Sequence, residues 1–390
     1  MAKDRPPLRH RDYLKIAKDY EAAASVANLT YVNDKEPGIS RVKKGKGFCY
    51  QVDGKALADE ATLDRIKKLV IPPAWTNVWI CKSANGHIQV TGFDVRGRKQ
   101  YKYHPRWTSI QQETKFHRMY LFGKVLPQIR KKMQKDIAQA GFPESKVLAS
   151  VVGVMERTYI RVGNNGYEKL YGSYGLTTLK NKHVEVKGDT VTFSFKGKKG
   201  VYHKISLKSK KFARIIKQCK AIPGSELFQY YDSNGELRKV DSGQVNQYLK
   251  ECAGEEVTTK DFRTWAGTLM MMRILRIAPP CEKQTEIQKI IVDGFKQVSE
   301  RLGNTVAVCK KYYVHPELVN LFQQNQLAKV FAKTPTPSDS ESGLTSEEAL
   351  LMQILKLIQK EQANPKVTEK LLKESIRKQA RKISKRALAA

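Results

Sequence analysis

Residues 190–207 read "TVTFSFKGKKGVYHKISL", and the reading of this stretch decides the fold. Val191, Phe193 and Phe195 alternate with polar residues, the period of a strand with one buried face. Gly197 and Gly200 bracket a lysine turn, and a strand pattern resumes beyond it. The stretch is a β-hairpin with Lys198 and Lys199 at its tip. Its surroundings are of another kind. Upstream, "TKFHRMYLFGKVLPQIRKKMQKDIAQAG" and "KVLASVVGVMERTYIRVG" are helical in composition. Downstream, residues 242–313 are mainly helical; Ile287, Ile290, Ile291, Val298 and Leu302 recur at helical spacing and stop at Gly303. Strands over 176–207 thus form a small antiparallel sheet inside a mainly α-helical region.

The chain before residue 104 differs again. A helix is expected over 12–27. From "GFCYQVDGK" to "KQYKYH" the pattern is that of strands, with "HIQVTG" and "KQYKY" pairing around the turn "DVRG". Pro72 and Pro73 stop a helix in "DEATLDRIKKLV". The fold class is α+β: a small N-terminal β-sheet domain with helices over 1–104, and a larger, mainly helical domain over 105–333. "TPTPSDSESG" makes 334–344 a linker by composition. Residues 345–390 read as a basic helical tail. It opens on a capping box, Thr345 to Glu348, and on an apolar face of Leu350, Leu351, Ile354, Leu355 and Ile358. From Lys366 to Arg386 it carries nine basic residues against two acidic ones, either an arm that clings to a polyanion or a solvated end.

The 390 residues hold 71 Lys and Arg against 38 Asp and Glu, a net charge of +33 on a chain that is 41% hydrophobic. So large an excess on a protein with a core points to a polyanion, nucleic acid ahead of an anionic membrane surface. The N-terminus has no apolar signal region, and no apolar run approaches the roughly 18 residues of a membrane span. The six cysteines are scattered without a CxxC pair, which fits free thiols in a reducing compartment. The seven histidines are isolated, so no structural metal is expected.

A basic protein without a metal cluster or phosphate loop can still perform phosphoryl transfer, provided side chains fill every role. Guanidiniums grip the nonbridging oxygens, a cation protonates the leaving oxygen, and a hydroxyl attacks. Four stretches offer such groups. "TYIRVGN" has Arg161 at a helix end. "FKGKKG" has Lys198 and Lys199. "TTKDFRTWAGT" has Lys260 and Arg263, three apart and so on one side of a helix. "GNTVAVCKKYY" has Asn304 with Tyr312 and Tyr313. Each stretch alone has an ordinary explanation: a surface charge, a soluble turn, a tyrosine packed in the core.

In this order, and together with "EPGISRVKKGKGFCY", "IPPAWTNVWIC", "TGFDVRGRKQYKYHPRW", "GSYGLTTLKNKHV" and "LGNTVAVCKKYYVHP", the stretches resemble the type IB DNA topoisomerases, in their compact bacterial and poxvirus-like group. The resemblance runs from about Tyr31 to about Asn320. It implies the catalytic fold shared with tyrosine recombinases and a catalytic set of Arg161, Lys198, Lys260, Arg263, Asn304 and Tyr313. The family places its His or Asn nine residues before the nucleophile; counting from Asn304 selects Tyr313 over Tyr312. Asn304 departs from the members that carry His, and an amide holds no charge to titrate. The resemblance further implies duplex DNA as partner, contacted by Gln100, Tyr101, Tyr103 and Tyr167. It implies a monomer that needs no metal, nucleotide cofactor or membrane, and a cytoplasmic, nucleoid-associated location if the source is a bacterium. A tyrosine recombinase is the alternative, but that family has His-x-x-Arg where this chain has Lys260-x-x-Arg263. A non-catalytic DNA-binding protein would explain the charge and leave the ordered set unexplained.

Overall fold

Strands Thr190–Lys196 and Tyr202–Lys208 pair antiparallel around the lysine turn in the computed structural model, which describes residues 10–45, 47–279, 281, 283–333 and 343–362. Val184–Lys187 adds a third strand to this sheet. Sheet structure begins only there: residues 176–183, expected as strand, form two short 3-10 turns. Val191, Phe193 and Phe195 point into the core, as their alternation requires.

The chain divides into two units, one reaching Arg118 and the other Met119–Ile358. The first holds a six-stranded antiparallel sheet. Its spatial order is Lys55–Ala56, Gly47–Val52, Ile39–Lys44, Thr76–Ile80, Ile88–Phe93, Lys99–Tyr103. Helix Glu60–Lys68 buries Ile66 against Ile39, Val78, Ile80 and Val90. The helix expected over 12–27 is two, His10–Ile16 and Tyr20–Val26. Asp19 breaks it, its carboxylate accepting from the Ala22 amide at 2.9 Å as the second helix's N-cap. Residue 104 directly precedes the 33-residue helix Pro105–Ile137, but the units divide inside that helix. The reason is packing: Trp107 and Ile110 share a core with Tyr13, Ile16 and Leu29.

In the second unit, helix Glu144–Thr158 is apolar nearly all round and buried from Lys146 to Met155, as such a helix must be. Helix Thr259–Arg276 crosses the same core. Helix Ser346–Gln362, read from sequence as the start of a separate tail, is part of this unit up to Ile358. Its apolar face, Leu350, Leu351, Ile354, Leu355 and Ile358, lies in the main core. Beside it the buried Glu348 carboxylate receives two bonds of 2.8 Å from Arg130 and one of 3.1 Å from Trp265 Nε1. The apolar stripe was visible in the sequence; the core that takes it was not. Residues 334–342 of the linker expected over 334–344, and the basic stretch from Lys366, lie outside the described residues. No helix among the described residues is long and apolar enough to cross a membrane.

Candidate active site

Helix Glu144–Thr158 ends at Tyr159, which takes the left-handed conformation (φ 59°) and turns the chain sharply. Ile160 and Val162 are buried in the core, and Arg161, between them, is half-buried. The amides of Leu176 and Thr177 bond the carbonyls of Arg161 and Val162 at 2.8 and 2.7 Å, so "GSYGLTT" clamps "IRVGN". Gly175 permits the approach, since a Cβ there would lie 2.6 Å from the Arg161 carbonyl oxygen.

Arg161 Nη2 donates to the Gly303 carbonyl at 3.0 Å and to Asn304 Oδ1. Arg263, on helix Thr259–Arg276 and only 5% exposed, donates to the Leu302 carbonyl at 2.6 Å and to the Tyr159 carbonyl. Two guanidiniums from different elements therefore seize one turn, Leu302 to Asn304, that Gly303 makes possible with φ 57°. The Nε of Arg263 is buried and has no hydrogen-bond partner among the described residues, a donor left over after the scaffold is satisfied. Burial, then repulsion from Arg263, lowers the Arg161 pKa to about 10, against an opposing pull from Tyr313.

The two tyrosines have different neighbours. Tyr313 caps helix Val306–Tyr312 at its C-terminus, and the Arg263 guanidinium carbon stands 5.2 Å from the centre of its ring. Its carbonyl accepts from Thr268 Oγ1 at 3.3 Å, and that hydroxyl accepts from the His315 amide at 3.1 Å. A Cβ on Gly267 would lie 2.5 Å from the same carbonyl oxygen. Tyr312 instead faces the ammonium groups of Lys311 and Lys260, 5.3 and 5.9 Å from its ring centre.

The structure thus brings together Arg161, Arg263, Asn304 and Tyr313. Lys260 is exposed one turn from Arg263, beside Tyr312. Lys198 and Lys199 stand exposed at the hairpin tip, with Lys199 in the left-handed conformation. The hairpin meets the arginine-bound turn through His203, whose ring lies against Gly303. His203, Tyr159, Gly267 and Thr268 are parts that the sequence reading missed. Only His203 gave a signal: it pairs with inward-facing Phe195, so its side chain shares the buried face of the hairpin.

The aromatics expected to face DNA are exposed. In the first unit Tyr101 and Tyr103 are 45% and 43% exposed and stack on one another, ring centres 5.9 Å apart. Gln100 does not join them. It lies on the opposite face of the edge strand Lys99–Tyr103, and its amide donates to Asp94 at 3.0 Å. That carboxylate also takes Arg98 at 2.8 Å, which lowers its pKa to about 2. In the second unit Tyr167 is exposed on the short helix Asn165–Tyr171, stacked on Tyr171.

Residues 104–334 match the family described as eukaryotic DNA topoisomerase I, catalytic core, and residues 47–94 match bacterial DNA topoisomerase IB, N-terminal domain. The DNA topoisomerase 1B of Acanthamoeba polyphaga mimivirus is 34% identical over 311 residues, covering 77% of this chain and 92% of that protein. This chain belongs to the type IB DNA topoisomerases. The DNA topoisomerase 1B of vaccinia virus (strain Copenhagen) and the DNA topoisomerase I of monkeypox virus are each 24% identical over 290 residues, covering 71% of this chain and 87% of each. The enzyme is therefore an isomerase acting on duplex DNA, and its α+β fold, with an N-terminal antiparallel sheet and a helical catalytic region, is the family's.

Proposed function

We propose that the enzyme relaxes positive and negative supercoils without ATP or metal, through a covalent bond between Tyr313 and the 3′ end of one cut strand. The Tyr313 hydroxyl oxygen attacks the scissile phosphorus as the bond to the 5′ oxygen breaks. The hydroxyl proton goes to solvent or a nearby base, and Lys198 gives a proton to the leaving oxygen, with Lys260 in reserve. Arg161, Arg263 and the Asn304 amide hold the phosphoryl oxygens, a preorganised field that costs no reorganisation during the reaction. One phosphodiester replaces another of similar energy, so the 5′-hydroxyl can attack back after the cut end has rotated. Cationic side chains fill the roles a divalent ion would take. Exposed Tyr101, Tyr103 and Tyr167 suit contact with the duplex, and the enzyme acts as a monomer.

The reading rests on one observation above all: two guanidiniums converge on the turn bearing Asn304, and one of them stands 5.2 Å from the ring of Tyr313. Relaxation of supercoiled plasmid in EDTA without nucleotide tests it. Full relaxation of both signs is expected, and a requirement for metal or ATP contradicts it.

A further inference from the structure

The reaction scheme leaves the imidazole of His203 unused. It lies on the return strand of the lysine hairpin, paired with Phe195, with ring centres 5.3 Å apart. Two glycines close on it. A Cβ on Gly197, the residue before Lys198, would lie 2.5 Å from its Cδ2; a Cβ on Gly303, the residue before Asn304, would lie 2.5 Å from its Cε1. The ring therefore touches the bare backbone of the turn that carries the proposed acid and of the turn that both arginines grip. Bonds within the tip, Gly197 amide to Val201 carbonyl at 2.7 Å and Gly200 amide to Gly197 carbonyl at 3.1 Å, shape the turn, and the Tyr174 amide donates to the Lys196 carbonyl beside it at 2.8 Å.

We infer that His203 is a positioning residue: its ring docks the Lys198 turn onto the Gly303–Asn304 turn, fixing where the lysine meets the leaving oxygen. The inference rests on the reading of Lys198 as the acid. A flexible side chain on an exposed tip is useful as an acid only if its base is held, and a misplacement of about 1 Å costs about 100-fold in rate. An imidazole suits the place because it is rigid and fills the gap between two glycines. It also stays neutral there: burial, then the Arg161 and Arg263 charges, lower its pKa. A longer cationic side chain would add a further charge beside those of Arg161, Arg263 and Lys198.

The test uses the full chain and single-turnover cleavage at saturating duplex, on a normal substrate and on one with a 5′-bridging phosphorothiolate, whose thiolate leaves without an acid. Lys198→Ala, His203→Ala, His203→Phe and the double alanine variant are compared, each with its melting temperature. His203→Ala is expected to slow the normal substrate by about 100-fold and the sulfur substrate far less, as Lys198→Ala does. The double variant should be no slower than Lys198→Ala, and His203→Phe, which keeps a flat ring, should recover most of the rate. Equal slowing of both substrates by His203→Ala, with Lys198→Ala still rescued by sulfur, overturns the inference, as does an unchanged rate. If sulfur fails to rescue Lys198→Ala itself, the acid assignment beneath falls, and the inference with it.

Discussion

At the scale of single residues, the site is built by groups whose chemistry allows no near substitute. Arg161 is one. One guanidinium nitrogen serves both Gly303 and Asn304, which leaves the rest of the fork for a phosphate. A lysine is a point donor without that geometry. Arg161→Lys should lower the cleavage rate at saturating DNA by about 100-fold, the size of losing an oxyanion donor, with little change in duplex affinity. An equal loss in affinity alone would make Arg161 a binding residue. Gly267 is another. Glycine inside a helix costs about 1 kcal/mol relative to alanine, yet an added Cβ would meet the Tyr313 carbonyl at 2.5 Å. Gly267→Ala should yield a folded protein with the nucleophile displaced and cleavage down by about 100-fold. Wild-type cleavage in that variant would show that the Tyr313 segment yields freely. The candidate catalytic residues could be named from the sequence because the chemistry demands Arg, Lys and Tyr, and their order matched a family. Gly267, Thr268 and Tyr159 could not be: Gly267 lets a backbone approach, Thr268 bonds the Tyr313 carbonyl and the Tyr159 carbonyl takes Arg263, and such parts show only when distant segments meet.

At the scale of elements, helix Ser346–Gln362 departs most from the sequence reading. Its capping box and apolar stripe were plain, but composition put a Pro/Ser linker before it and lysines after it, which made it look like a tail. Packing makes it a structural member of the catalytic unit, locked by Glu348 against Arg130 and Trp265. Removing Glu348 leaves Arg130 with Glu156 at 2.7 Å but takes away its two bonds to the buried carboxylate and leaves Trp265 Nε1 without that acceptor, at a cost of about 2 kcal/mol. Glu348→Ala should lower the melting temperature, and a chain ending at Lys333 should fold poorly. One ending at Gln362 should keep the wild-type cleavage rate. If the chain ending at Lys333 cleaves normally, the helix is dispensable. The pair also sets an acid limit. Burial alone would raise the Glu348 pKa, but the Arg130 bonds prevail and lower it. The native pKa thus lies below the unfolded one, so the carboxylate's contribution is complete above the unfolded value and disappears as pH falls through the native one. The stability gap between wild type and Glu348→Gln should be full at neutral pH and narrow in acid; a gap independent of pH contradicts this. The hairpin, by contrast, was legible in full, because a period of two between glycine turns has few other solutions.

At the scale of the whole molecule, a net charge of +33 predicts a strong salt dependence of DNA binding through release of counterions. Each phosphate neutralised adds about 0.9 to the slope of log affinity against log salt. A chain ending at Gln362 loses the nine basic residues between Lys366 and Arg386. It should bind duplex more weakly and with a shallower slope, at an unchanged saturated cleavage rate. An unchanged slope would mean that these residues do not meet DNA. Charge and composition gave the class of partner from sequence alone. They do not distinguish the two adjacent tyrosines; the proposal of Tyr313 rests on the nine-residue step from Asn304 that the resemblance implies, beside the Arg263 guanidinium 5.2 Å from its ring. The most direct measurement is to trap the covalent complex on plasmid in EDTA, digest it, and locate the nucleotide-bearing peptide by mass spectrometry. The account predicts a phosphotyrosyl bond at Tyr313, absent from Tyr313→Phe and kept in Tyr312→Phe. An adduct at Tyr312, or none without metal, would contradict it.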